Sequence, residues 1–139
     1  MPRYLELAEV IAFHQMVMER TGSKPASLRD EGLLESALMR PQSAAHYESA
    51  DLIRQVALLA VAISQAQAFM DGNKRTAYAA SDGFLRLNGY FFSGDPIDFA
   101  KRLEEIASQR EERAALVLQF EKWLRDSVTT LSESSNSPE

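Results

Sequence analysis

The stretch from Asp51 to about Met70 constrains the fold more than any other. Leu52, Val56, Leu59, Ala60 and Ile63 recur at helical spacing, and Ala57, Leu58, Val61 and Ala62 fill the remaining faces. A helix that is apolar nearly all round is stable only when neighbours cover every side. The rest of the chain must therefore pack around this segment. Its most apolar run, Val56 to Ile63, is far too short to cross a bilayer, which takes about 20 residues.

The flanking segments supply the cover. Leu5, Ala8, Ile11, Ala12, Gln15 and Met16 follow helical spacing, with Gly22 as a stop after Arg20-Thr21 and a loop through Ser23-Lys24-Pro25. A second helix is expected from near Asp30 to just before Pro41, because proline lacks the N–H and restricts the residue before it. Residues 41 to 50, with Pro41, His46 and Tyr47, then read as a loop. After the central segment, Asn73 is a strong N-cap candidate for a helix containing Ala77, Ala79 and Ala80. Gly83 inside it costs about 1 kcal/mol relative to Ala, which implies a packing reason, and Asn88-Gly89 ends it. Asp95-Pro96-Ile97-Asp98 opens another helix, expected to run to about Ser108. Ala114, Leu116, Val117, Phe120, Trp123 and Leu124 mark a final amphipathic helix, and Arg110-Glu111-Glu112-Arg113 reads as a solvated face. The fold expected is all-α, a compact single-domain bundle of about six helices over residues 1–131, with residues 132–139 as a disordered tail.

Composition excludes several function classes. A chain of 139 residues with 45% hydrophobic and 25% charged residues has the make-up of one soluble globular domain. Its formal net charge of -5 argues against a DNA-binding helix-turn-helix, which needs a basic face. It has no cysteine, and Met1 to Glu6 lacks an apolar core of signal-peptide type, so no membrane role and a cytoplasmic location are expected.

Between the central helix and the next lies Gln67-Ala68-Phe69-Met70-Asp71-Gly72-Asn73-Lys74-Arg75-Thr76-Ala77. Asp71-Gly72-Asn73 is a turn signal. The following helix begins with outward N–H groups and the positive end of its dipole, a natural phosphate site. Lys74 and Arg75 oppose that dipole, at about 0.3–1 kcal/mol each. Two cations make sense there if a polyanion binds, with Arg75 as a bidentate fork and Lys74 as a mobile point charge. Asp71 is a candidate for Mg²⁺ brought by a nucleotide. The plainer reading is an ordinary helical corner with a solvated basic turn.

Phe69-x-Asp71-Gly72-Asn73-Lys74-Arg75-Thr76-Ala77 resembles the central motif of the Fic/Doc family in its Doc form. Leu28 to Gln42 and Phe84 to Tyr90 resemble further Doc segments in the right order. The resemblance implies the Fic/Doc fold and a toxin of a toxin-antitoxin system, with ATP and Mg²⁺ as cofactors. Doc proteins are associated with phosphoryl transfer from ATP to a protein hydroxyl, best known for a threonine of translation elongation factor Tu. AMP-transferring relatives usually carry Gly where Lys74 stands and a second Arg where Tyr78 stands, so Lys74 favours phosphoryl transfer. The implied roles are nucleotide binding by Gly72, Asn73, Lys74 and Arg75, catalysis at position 67 with Asp71, Lys74 and Arg75, and Mg²⁺ on Asp71. The implied partner is a Phd-like antitoxin whose C-terminal segment folds into a groove as a helix.

One departure bears on activity. The family's catalytic histidine falls on Gln67, whose amide has no accessible basic form, and loss of a general base costs about 10²–10⁴-fold in rate. A substitution that disarms a toxic enzyme and a natural non-catalytic module that binds nucleotide or antitoxin both fit, and the intact phosphate-handling residues favour the first. In the family, residues 41–50 form a flap, where His46 is a remote candidate for the missing base. Ser27-x-x-x-Glu31-Gly32 matches a self-inhibitory pattern of some Fic enzymes, although the same segment reads well as a helix start. His14, alone and without a partner motif, reads as a packed or surface histidine rather than a ligand.

Overall fold

The computed structural model describes residues 2–22, 28–108 and 112–131. The expected loop residues Ser23-Lys24-Pro25, Ser27 of the inhibitory pattern, Arg110-Glu111 and the tail 132–139 lie outside them. Among the described residues there are six helices: α1 (Leu7–Arg20), α2 (Glu31–Glu48), α3 (Leu52–Ala66), α4 (Asn73–Leu87), α5 (Pro96–Ser108) and α6 (Arg113–Arg125). The all-α expectation holds.

α3 is the axis. The Asp51 carboxylate caps it by accepting from the Arg54 N–H at 2.9 Å, and α2, α4, α5 and α6 pack around it. Val56, Ala57 and Ala60 have no exposed surface. The helix ends at Ala66, earlier than the expected Met70, because Gln67 takes a left-handed conformation at φ 53°. That turn frees residues 67–72 to form the motif loop.

α2 and α3 run antiparallel. The N–H groups of Arg29 and Asp30, just before α2, donate to the Ala68 carbonyl just after α3. At the opposite end Glu48 of α2 meets Arg54 of α3 at 3.4 Å. α2 does not stop before Pro41 but continues to Glu48. Proline inside a helix loses one backbone bond and crowds the preceding turn, at about 3 kcal/mol. Tertiary burial outweighs this: Pro41 is buried beside Tyr4, Leu5, Leu38, Leu59 and Phe84, and Ala44 beyond it is buried too. Residues 41–48 are therefore helix, not a flap. Exposed His46 sits in the last turn, at the end of the pair remote from Gln67, and is no substitute base.

α4 crosses α1 closely at Gly83, where an added Cβ would fall 2.6 Å from Phe13 Cζ; this is the packing reason the glycine implied. Two short strands were not evident in the sequence. β1 (Tyr90–Phe92) pairs antiparallel with β2 (Val128–Thr130), Tyr90 opposite Thr130. Runs this short carry no usable periodicity, and their pairing depends on the chain returning after α6.

Candidate functional site

The motif loop leaves α3 at Gln67 and enters α4 at Asn73, and each turn has an identifiable support. Gly72 sits at φ 80°, a left-handed position that suits glycine, with Met18 Sδ 2.7 Å from where a Cβ would lie. Gly72 is the N-cap of α4 and has no side chain with which to cap it. Asn73 is thus the first helical residue and not the N-cap. Its amide serves a different purpose, accepting from the Phe69 N–H at 3.1 Å and donating to the Phe69 carbonyl at 2.9 Å. Any phosphate contact by Asn73 falls to its backbone N–H.

Both neighbouring helices brace the loop. From α1, buried His14 lies against the Phe69 ring, and its Nε2 donates to the Asp71 carbonyl at 2.9 Å; a carbonyl only accepts, so Nε2 carries the proton. From the entry to α2, Arg29 Nη2 donates to the Gln67 carbonyl, and Leu28 forms an antiparallel bridge with Phe69. Neither brace was recognised in the sequence. Val10, His14 and Met18 share the buried face of α1 at four-residue spacing, which was a legible signal for His14; Arg29 gave none.

The site residues converge on one cleft of about 250 Å³, lined by Gln67, Met70, Asp71, Gly72, Asn73, Lys74 and Arg75. The N–H groups of Asn73, Lys74 and Arg75 have no acceptor among the described residues, because the first α4 bond runs from Thr76 N–H to the Gly72 carbonyl. Lys74 and Arg75 take part in no ion pair there. Asp71 uses Oδ1 to accept from the Gly72 N–H at 2.8 Å, and its other oxygen has no hydrogen bond or ion pair among the described residues. Among the described residues no group of three or more His, Cys, Asp or Glu is placed to hold a metal. A cation here would rest on Asp71 and on oxygens brought by the ligand, which suits Mg²⁺ with a nucleotide. Gln67 turns its amide nitrogen back to the Ser64 carbonyl at 2.9 Å, closing the end of α3.

Arg75 also borders a second cleft of about 330 Å³, walled mainly by Val17, Tyr78, Pro96, Ile97 and Ala100. Tyr78 packs edge-on against Phe92 and Phe99, and burial, helped by the Asp82 charge, raises its hydroxyl pKa. It is part of the aromatic core and offers the cleft no charge. Glu31 lies exposed at the start of α2 and makes no ion pair with Arg75 among the described residues, so nothing in the structure supports self-inhibition by it. Among the described residues no helix is long and apolar enough to cross a membrane.

The fold is a helical bundle built on one buried helix, and among the described residues its glycine turn carries two cations without ion pairs and unpaired N–H groups at the next helix start. The chain belongs to the Fic/DOC family, whose model matches residues 4–85. It is similar to the Toxin Doc of Mycolicibacterium smegmatis, at 38% identity over 86 residues, 59% of this chain and 66% of that protein. It is also similar to the Protein kinase doc of Escherichia phage P1, at 36% identity over 88 residues, 63% of this chain and 69% of that protein.

Proposed function

We propose that this protein is a Doc-type toxin whose site transfers a phosphoryl group from ATP to a hydroxyl of a translation factor, elongation factor Tu being the expected target, and so arrests translation. The observation that carries this reading is the start of α4, where unpaired N–H groups, Lys74 and Arg75 border one cleft with Asp71 and Gln67. Mg-ATP supplies the transferable group when bound. The N–H groups of Asn73 and Lys74, with the two cations, hold phosphate oxygens and offset their charge. Asp71 would hold the Mg²⁺ that arrives with the nucleotide and offset phosphate charge there. Position 67 lies on a left-handed turn whose carbonyl Arg29 holds, and since the Gln67 amide nitrogen is tied back to Ser64, a side chain there must swing into the cleft to meet the target hydroxyl.

A histidine at position 67 takes the hydroxyl proton. Gln67 accepts a hydrogen bond but no proton, so this form binds nucleotide and transfers about 10²–10⁴-fold more slowly. Gln67 is also what favours the second reading, a non-catalytic module that binds nucleotide or antitoxin. AMP transfer is less well supported, since Lys74 replaces the usual Gly and Tyr78 is an aromatic core residue where a second Arg is expected.

The Phd-like antitoxin is placed by the same reading in the apolar cleft beside Arg75. A helix laid there puts its apolar face on Val17, Tyr78 and Ile97 and sits against a phosphate-binding cation.

The test is label transfer from γ-³²P-ATP to purified elongation factor Tu by the Gln67→His protein, with the Gln67 form alongside. Label only with histidine supports a disarmed kinase. No label with either sinks phosphoryl transfer to this target and brings the other two readings forward.

A further inference from the structure

Arginines at the two ends of the seam between α2, α3 and α6 stand in different situations. At the end that starts α3, Arg54 meets Glu48 at 3.4 Å and Glu121 at 3.0 Å, while Arg125 meets Asp51 at 3.0 Å and Glu121 at 2.9 Å. At the motif end, Arg40 of α2 and Arg113 of α6 border a cleft of about 220 Å³ together with Leu33, Ser36, Gln65 and Ala66. Among the described residues neither guanidinium has a hydrogen bond or ion pair, nor have the Ser36 hydroxyl and the Gln65 amide. The chain has 20 acidic and 15 basic residues, so carboxylates are not scarce. Yet among the described residues no carboxylate, not even that of Glu112 beside Arg113, forms an ion pair with either arginine.

The cleft has the size and position of a peptide site. Leu33, Ser36 and Arg40 lie along one face of α2 over about 10 Å at 1.5 Å per residue, which matches about three extended residues and exceeds a single small anion. Leu33 is 42% exposed and offers an apolar contact at its edge. The cleft also adjoins the motif, since Ala66 precedes Gln67 and Asp30, which caps Leu33, bonds to the Ala68 carbonyl.

We propose that this cleft docks an acidic segment of a protein partner, with carboxylates on Arg40 and Arg113 and an apolar side chain on Leu33. Guanidinium forks suit paired carboxylates. The segment lies next to position 67, so docking places the partner's neighbouring hydroxyl at the transfer site. The proposal rests on the reading of the motif as a site that acts on a protein, but the docking step itself needs no transfer.

The test is fluorescence anisotropy with a labelled Glu-Ala repeat peptide, a Lys-Ala repeat as control, and ¹⁵N shift mapping. The acidic peptide is expected to bind alone, to shift Ser36 and Gln65, and to bind roughly tenfold more weakly to the Arg40→Glu/Arg113→Glu protein. Arg40→Lys/Arg113→Lys should retain part of the affinity, and ATP binding should be unchanged in both. Equal binding of both peptides, or shifts confined to Lys74 and Arg75, overturns the proposal. So does self-association of the protein that the Arg→Glu changes abolish, since the occupant would then be a second copy. Peptide binding without label transfer leaves docking standing and counts against the motif reading; transfer without peptide binding does the reverse.

Discussion

His14 and Phe69 lie ring on ring, with centroids 3.7 Å apart and planes 6° from parallel. Both are 1% exposed. The contact joins α1 to the motif loop, and the His14 bond to the Asp71 carbonyl fixes that loop at a second point 2.9 Å away. The position of Asp71 is thus set from α1, a helix that contributes nothing to the cleft it lines.

His14→Ala removes the stack and leaves a cavity and a lost hydrogen bond, a loss expected at about 2–4 kcal/mol. His14→Phe keeps the ring and loses only the bond, about 1 kcal/mol. Urea denaturation ranks the two, and equal losses would mean that the stack contributes little.

Asn73→Ala strands the Phe69 N–H and carbonyl in the core. Leaving two buried groups unpaired is expected to cost about 2–5 kcal/mol and to weaken ATP binding, because the turn before α4 loses its tie. Calorimetric melting together with ATP titration checks both effects. A protein that melts normally but loses ATP would point instead to direct contact between the Asn73 amide and nucleotide.

Lys74→Ala and Arg75→Ala should move stability and binding in opposite directions. Each removes a cation from the positive end of α4, so the ligand-free protein gains about 0.3–1 kcal/mol at low salt. Affinity for ATP falls in both. If thermal melts show neither gain while ATP binding is retained, the phosphate-site reading of this turn fails.

Asp51 gives the fold a pH dependence. Its pKa is lowered, first by the hydrogen bond from Arg125, against an opposing effect of burial, with the Arg54 N–H and both guanidinium charges adding to the lowering. A carboxyl lowered in the folded state stabilises above its unfolded pKa, and that stability fades as pH falls through the folded value. With side chains 46% and 57% exposed, solvent screens the pair to below about 1 kcal/mol. The melting difference between the native chain and Arg125→Ala should therefore be present near about pH 6 and shrink near about pH 3. A difference independent of pH would assign the effect to packing of the arginine stem.

Local signals carried part of this fold. The apolar faces of α3 required a buried axis, the glycine turn of Asp71-Gly72-Asn73 was legible, and Asp95-Pro96 started α5, where the Asp95 carboxylate accepts from the Ile97 N–H. The cleft residues from Gln67 to Arg75 came together because one turn carries them all. Tertiary structure decided the rest. Pro41 continues a helix because its ring is buried, and Asn73 faces the Phe69 backbone because Gly72 already makes the left-handed turn. The braces from His14 and Arg29 reach across 57 and 38 residues of chain. Periodicity, caps and turns act within a few residues and can be read in order. A bond between distant residues exists only after the helices have packed, so no local pattern announces it.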